Sequence, residues 1–168
     1  MVPEISKILY ATDLSKNSAY AFYYAVDIAQ KRNGKIIILH VIEPASPLLR
    51  GYIGEDTIVN IQQQNVQEAT EEINKRLKDF CKAVDDKIGP CLEFVSDILV
   101  RLGHPVNEIL EVAEKEECDL IVLGSHGKGF LEHTFLGSVS RMVLDRTRKP
   151  VFIIPLPSEE VYIDWGEK

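Results

Sequence analysis

The stretch LIVLGSHGKGFLEHTFLGSVSRM, residues 120–142, starts as a short apolar run, passes through a cluster of glycines and ends in a helical pattern. The run 120–124 is typical of a strand buried on both faces. Glycine loses more conformational entropy on folding than other residues, so the cluster indicates a tight turn or a backbone that something approaches closely. The stretch therefore predicts a strand, a loop that makes a tight turn or is closely approached by another group, and a helix from about Ser138 through Arg146.

The rest of the chain repeats this alternation of strand and helix. Amphipathic segments predict a first helix with Ser15 and Asn17 as possible starts and Gly34 as its stop, a long helix over 58–88, and a helix opened by Pro105. Residues 44–56 are rich in turn residues and are predicted as a loop. The alternation favours right-handed crossovers and a parallel sheet with helices on both faces, a three-layer Rossmann-like α/β domain. Strands are predicted at 7–13, 35–43, 91–100, 120–124 and 150–155.

Composition narrows the class of protein. With 168 residues, 45% of them hydrophobic, the chain is expected to form one domain over 1–157, followed by a tail at 158–168. A net charge of −7 with scattered Lys and Arg argues against nucleic-acid binding. No apolar segment approaches the ~18 residues of a membrane span, and the N-terminus lacks the features of a signal peptide, so a cytoplasmic protein without membrane attachment is expected.

The three cysteines, Cys81, Cys91 and Cys118, form an odd set without a C-x-x-C pair. This spacing suggests neither a disulfide framework nor a zinc site. We therefore expect three reduced thiols that serve in packing.

Ligands of open parallel sheets bind beyond the carboxyl ends of the strands. The segment ATD, residues 11–13, and the glycine stretch both follow such ends. The stretch does not match the Walker or dinucleotide-binding glycine patterns. It reads Gly124-x-x-Gly127, nine residues, Gly137-Ser138, in which loop N–H groups and a helix N-terminus could face an anion.

This pattern resembles the ATP-binding signature of the universal stress protein family. KILYATD near the start, HVIEP after the second strand, GHPVNEILEVAEKEECDLIVLGSHGKG and SRMVLDRTRKPVFIIP agree with it, so the resemblance covers about residues 5–155. It implies a sheet in the order 3-2-1-4-5, which makes the first and fourth strands neighbours. It also implies binding of ATP, or of ADP or AMP, with Mg²⁺ or Mn²⁺.

By position, the resemblance assigns the ribose hydroxyls to Asp13 and the adenine edge to the backbone at Val41. Electrostatics also favours the placement of Asp13 at the ribose, because a carboxylate repels a triphosphate but accepts hydrogen bonds from hydroxyl groups. Gly124, Gly127, Gly137 and Ser138 would surround the ribose and phosphates. The expected nucleotide-binding set is completed by Ala11, Thr12, Ser125, His126, Lys128, Val139 and Ser140.

Plainer roles remain open for several of these residues. Asp13 could cap the first helix, and Lys128 could be a solvated loop residue. His126 and His133 could suggest a metal pair, but a third ligand with suitable spacing is missing, so no metal site formed by side chains alone is expected. His40 and His104 are interpreted as packing or capping residues. Ser138 lacks the G-x-S-x-G context of a nucleophile.

Two classes of function follow. The preferred hypothesis is a homodimeric, nucleotide-dependent regulatory module of the stress response, in which the segment 44–56 acts as a lid and an unidentified protein partner reads the nucleotide state. The alternative is a slow ATPase or an ATP-using enzyme of similar fold. The apolar fifth strand, if it lies at a sheet edge, is the expected dimer contact, as it often is in the family.

Overall fold

The computed structural model describes residues 2–126 and 136–155, with Ile88 described by its backbone alone. Within these ranges strands and helices alternate as predicted, and the ends of the first, second and fifth strands differ from the prediction by one residue at most. The elements are β1 Lys7–Thr12, α1 Lys16–Arg32, β2 Lys35–Ile42, α2 Pro47–Ile53, α3 Glu55–Ile88, β3 Val95–Leu102, α4 Pro105–Lys115, β4 Leu120–Gly124, α5 Ser138–Arg146 and β5 Val151–Ile154.

The five strands form one parallel sheet in the order β3-β2-β1-β4-β5, which confirms the predicted fold. At the centre, Ile8 of β1 is paired with Ile36 of β2 and with Leu120 of β4. Because β1 and β4 are parallel neighbours, their carboxyl ends lie side by side. The two loops that the sequence singled out therefore leave the sheet at adjacent points.

Two apolar cores lie on opposite faces of the sheet. Ile8 and Tyr10 pack with α1 and α3 on one face. Leu9 and Ala11 pack with α4 and α5 on the other face. Because both faces are covered, the central strands read as continuous apolar runs, as expected for buried parallel strands.

The first helix starts where the sequence indicates and ends at Arg32, two residues before the predicted stop at Gly34. Ser15 is the N-cap, and its Oγ accepts a hydrogen bond from the Ser18 N–H at 3.3 Å. At the C-terminal end, Asn33 adopts the left-handed conformation with φ 51°. Gly34 serves close approach instead, since a Cβ there would lie 3.0 Å from the backbone oxygen of Ser6.

The predicted loop at 44–56 is wrong, because it contains α2 and the start of α3. Ser46 is the N-cap of α2, its Oγ accepts from the Leu49 N–H at 3.3 Å, and Pro47 occupies the first turn. None of the residues of α2 is buried, so the segment has no apolar periodicity to predict it. The long helix begins at Glu55, three residues before the predicted start.

The prediction of a strand from residue 91, and that of three free thiols, are both wrong. Cys91–Phe94 forms a 3₁₀ helix, and β3 starts only at Val95. The Cys91 sulfur is bonded to that of Cys81 in α3, with 5.4 Å between the two Cα atoms. Gly89 and Pro90 end the helix and turn the chain back, which brings together two cysteines whose spacing in sequence gave no signal. Cys118 is free and buried, and burial raises the pKa of its thiol to about 11.

Two further expectations concern the C-terminal tail and membrane-spanning helices. The predicted tail at 158–168 lies outside the described residues. Among the helices of the described ranges, none combines the length and the apolar character that crossing a bilayer requires.

Candidate functional site

A cavity of about 650 Å³ opens at the carboxyl edge of the sheet. This volume is within the range of small-molecule binding sites. Its walls come from the ends of β1, β2 and β4, from the start of α4 and from the first turn of α5. Leu39, Ile109 and Leu123 give it an apolar interior.

Most of the residues predicted from the sequence meet at this cavity. Ser125 is the exception among the described ones, because it is buried and does not line the cavity. Gly127 and Lys128, like His133, lie outside the described residues. The predicted residues that line it are Ala11, Thr12, Asp13, Val41, Gly124, His126, Gly137, Ser138, Val139 and Ser140.

The turn between β1 and α1 presents Asp13 at the cavity. Its Oδ1 accepts a hydrogen bond from the Ser15 N–H at 3.0 Å, the geometry of an Asx turn. The N-cap of α1 is Ser15, so the capping role considered for Asp13 belongs to its neighbour. Asp13 supports the turn through one oxygen and adds a negative charge to this wall of the cavity.

Asn17 is a structural residue of the site whose role sequence reasoning missed. Its Oδ1 accepts from the backbone N–H of His126 at 2.7 Å, and its Nδ2 donates to the carbonyl of Ile154 at 3.3 Å. It is buried and lies against Gly124, where a Cβ would come within 3.0 Å of its Oδ1. The close approach of α1 thus explains Gly124. The signal in the sequence was a polar residue in the first turn of a helix whose buried positions are mostly apolar.

The residues after β4 are fastened to β5 and α5 by a set of short hydrogen bonds. Ser125 donates its N–H to Ile154 at 2.8 Å and accepts from the Gly137 N–H at 2.7 Å. Its Oγ lies 2.9 Å from Nδ1 of His126. Ser140 donates its Oγ hydrogen to the Gly124 carbonyl at 2.8 Å. These contacts hold the start of α5 next to the end of β4.

The first turn of α5 determines which donors face the cavity. The N–H of Gly137 is already bonded to Ser125, so it is not the phosphate donor that the glycine pattern suggested. The first N–H groups of a helix have no partner within it, and here they belong to residues from Ser138 onward. Ser138 is exposed and lines the cavity, so its hydroxyl and these N–H groups provide the donors.

His40 lines the cavity as well, which its predicted packing or capping role did not include. Its Nδ1 lies 2.8 Å from the carbonyl oxygen of Thr12. Because a carbonyl can only accept, Nδ1 carries the hydrogen. In the neutral ring, Nε2 is then an acceptor. The contact ties the end of β2 to the end of β1.

The cavity has an acidic side and a donor side. Asp13 and Glu43, at the ends of β1 and β2, are its carboxylates. Across the sheet, the N-terminus of α5 contributes N–H groups and the positive end of the helix dipole. Among the described residues, no group of three or more His, Cys, Asp or Glu side chains is placed to hold a metal ion. The arrangement suits a ligand with an apolar flat part, hydroxyl groups and an anionic end.

Comparison with known proteins assigns the chain to a family. The model of the universal stress protein family matches residues 4–155. The chain therefore belongs to the universal stress protein family, as the glycine pattern and its neighbouring motifs suggested.

Individual relatives agree with this assignment. The chain is 32% identical over 156 residues to universal stress protein MJ0577 of Methanocaldococcus jannaschii, which covers 88% of this chain and 93% of that protein. The solved structure of MJ0577 matches with a TM-score of 0.72 at 25% identity, over 92% of this chain and 98% of the other. A universal stress protein solved in complex with cAMP matches with a TM-score of 0.53 at 25% identity, over 90% and 98% of the two chains.

Proposed function

We propose that this universal stress protein binds ATP in the cavity at the ends of β1, β2 and β4 and works as a nucleotide-dependent switch in the stress response. The observation that carries the proposal is the opposition of Asp13 and the first turn of α5 across one cavity. A carboxylate and a helix N-terminus prefer opposite ends of a nucleotide, so together they give it one orientation. The ribose lies toward Asp13 and the phosphates lie toward Ser138.

The apolar interior and the backbone of β2 complete this pose. Leu39, Ile109 and Val41 border the space that remains for the base. The backbone at Val41 contacts the adenine edge, a role that family resemblance supports. The relative in complex with cAMP supports an adenine nucleotide as the class of ligand. Hydrogen bonds from charged or strongly polar groups contribute about 1.5–3 kcal/mol each, so a few of them support micromolar binding.

A divalent cation accompanies the nucleotide in this proposal. Mg²⁺ and Mn²⁺ prefer oxygen ligands, and Asp13 lies at the ribose end in this pose, so the cation lies with the phosphates. The described residues hold no complete metal cluster, so phosphate oxygens and water supply its ligands. The cation would neutralise part of the phosphate charge. The phosphates could then occupy the same cavity as the carboxylates of Asp13 and Glu43.

The proposed switch is a cytoplasmic homodimer that pairs through β5 and presents its nucleotide state to a protein partner. α2 and the start of α3 follow Glu43, which lines the cavity, and in this proposal they respond to the ligand as a lid. Cell fractionation tests the cytoplasmic location, because the Cys81–Cys91 bond is of a kind that a reducing cytosol disfavours.

The direct test of the site is a pair of matched glycine substitutions. Gly137→Val adds a branched side chain at the cavity, while the extended backbone there, φ −65° and ψ 161°, accepts valine and keeps the N–H bonded to Ser125. Gly51→Val makes the same change in α2, where a Cβ meets nothing within 4 Å. Denaturation of the purified wild type and of Gly51→Val should release an adenine nucleotide, and Gly137→Val should release none.

Calorimetry with ATP and Mg²⁺ measures the nucleotide affinity of the wild type and of Gly137→Val at equilibrium. We expect micromolar binding by the wild type and at least a hundredfold loss in Gly137→Val, because the added methyl groups occupy the phosphate position. Absence of heat with ATP, ADP and AMP, with and without the cation, would refute the proposal. Hydrolysis at multiple turnovers per minute would favour the enzyme over the switch.

A further inference from the structure

Arg76 of α3 reaches the turn that carries Asp13, although 62 residues separate it from Leu14. Its Nη1 donates a hydrogen bond to the Leu14 carbonyl at 3.1 Å, and its Nε donates to Oε1 of Glu72 at 2.6 Å. Only 20% of its side chain is exposed. The guanidinium group is therefore held by a carboxylate of its own helix while it contacts the β1–α1 turn.

The turn that Arg76 contacts has an unusual backbone. Leu14 has φ 65°, the left-handed region that is unfavourable for residues with a Cβ. Two local hydrogen bonds shape the turn, from the Leu14 N–H to Thr12 Oγ1 and from the Ser15 N–H to Asp13 Oδ1, each at 3.0 Å. The peptide between Leu14 and Ser15 is thus fixed by Arg76 through its carbonyl and by Asp13 through its N–H. A rotation of this peptide would strain or break the hydrogen bond that holds Oδ1 of Asp13.

Arg76 acts from the face of the sheet opposite the nucleotide cavity. It borders a small pocket on the α1 and α3 face with Tyr10 and Leu14, and it does not line the large cavity. A direct contact with the ligand is therefore excluded for Arg76 in this structure. The side chain can affect the cavity only through the turn that it contacts, which carries Asp13.

We infer that Arg76 is a positioning residue that orients the Asp13 carboxylate toward the ribose hydroxyls, an inference that rests on the proposed nucleotide site. The guanidinium fork suits this task, because it binds Glu72 and the Leu14 carbonyl at once. A lysine would have to reach both acceptors from a single nitrogen, whereas the guanidinium reaches them from two, Nε and Nη1. The long helix α3 is thereby connected to the choice of sugar in the binding site.

The test compares two nucleotides that differ only at the ribose. ATP and 2′,3′-dideoxy-ATP carry the same base and triphosphate, so their affinity ratio measures the sugar contact. We expect the wild type to prefer ATP and Arg76→Met to reduce this preference about tenfold, the lower end of the range of one hydrogen bond to a charged group. Arg76→Lys, which keeps part of the contact, should reduce it about threefold. Affinity for the dideoxy nucleotide should change less than twofold.

Lys75→Met is the matched control. Lys75 is the exposed neighbour of Arg76 on α3, and its replacement removes the same charge from the same helix. Both affinities should stay at the wild-type values in this variant. Arg76→Lys keeps the charge and the stem of the side chain, so it retains the fold and provides the measurement if Arg76→Met does not fold.

The possible results separate this inference from the proposed function. An equal loss of affinity for both nucleotides in the Arg76 variants would show a merely structural role, and unchanged affinities for both would show no role. Either result overturns the inference alone. Equal affinities of the wild type for both nucleotides overturn the sugar contact but leave nucleotide binding intact. Absence of binding by the wild type refutes the proposed function, and the inference with it.

Discussion

Gly124 stands at the end of β4, in a position where α1 allows no side chain. A Cβ at this position would lie 3.0 Å from Oδ1 and 3.2 Å from the backbone carbon of Asn17. The side-chain oxygen could shift, but the backbone of a packed helix cannot yield cheaply. Asn17 in turn joins the ends of β4 and β5 through His126 and Ile154. This contact between two residues holds the end of β4 against α1 at the edge of the cavity.

Gly124→Ala should therefore destabilise the protein. We expect the free energy of unfolding in urea to fall by about 1–3 kcal/mol, the cost of overpacking a closely packed contact. The control is Gly51→Ala in the exposed helix α2, where a Cβ meets nothing within 4 Å. Because alanine is the better helix former, this variant should be unchanged or more stable by up to about 1 kcal/mol. Equal stability of the two variants would contradict the role given to Asn17.

The C-terminal end of α3 shows how elements are held together beyond the sheet. Gly89, with φ 77°, ends the helix, and the 3₁₀ helix that follows returns Cys91 to Cys81. Cys91 is fully buried in the core shared by α1 and α3. The bond therefore fastens the start of the edge strand β3 to the helix that carries Arg76.

Reduction of this bond should weaken the fold. A cross-link between residues 10 apart stabilises by about 3 kcal/mol in the chain-entropy account. We expect reductant to lower the free energy of unfolding of the wild type by about 2–3 kcal/mol and to leave a Cys81→Ala/Cys91→Ala variant unaffected. Titration of thiols in denaturant without reductant should find one thiol per chain, that of Cys118. Three thiols per chain would show that the bond is not formed in solution.

The two edges of the sheet differ in a way that bears on assembly. β3 carries Asp97 and Arg101 at exposed positions, and charges on an edge strand discourage pairing. β5 has the sequence VFII without a charge, and Phe152 on it is 41% exposed. Its ring lies 6.0 Å from that of Tyr24, a further exposed aromatic residue. At the scale of the whole molecule, β5 is the edge that we expect to pair with a second copy of the chain.

The expected dimer can be tested with substitutions at the two edges. Light scattering at micromolar concentration should give the wild type a mass near twice 19.0 kDa. Phe152→Lys should run as a monomer, because it places a charge in the proposed contact. Leu102→Lys changes a residue of similar exposure, 39%, on β3, and it should remain a dimer. A monomeric wild type, or a dimeric Phe152→Lys variant, would reject pairing through β5.

The sequence alone determined the alternation of the five strands with α1, α3, α4 and α5, and the edge of the sheet where the candidate site lies. Buried parallel strands read as apolar runs, and the glycine pattern with ATD marks two strand ends, because local chemistry decides both. These signals indicated Asp13 and Ser138 as residues near a ligand, whereas Val41 was assigned by the family resemblance. Strand order came from the family resemblance rather than from the residues themselves.

Only the tertiary structure decided the features that depend on residues far apart in sequence. α2 buries none of its residues, so no periodicity could predict it. The Cys81–Cys91 bond, the approach of Asn17 to Gly124 and the reach of Arg76 to Leu14 all depend on how α1, α3 and β4 pack against one another. A short sequence pattern records local preference, whereas these contacts are set by the packing of the complete chain.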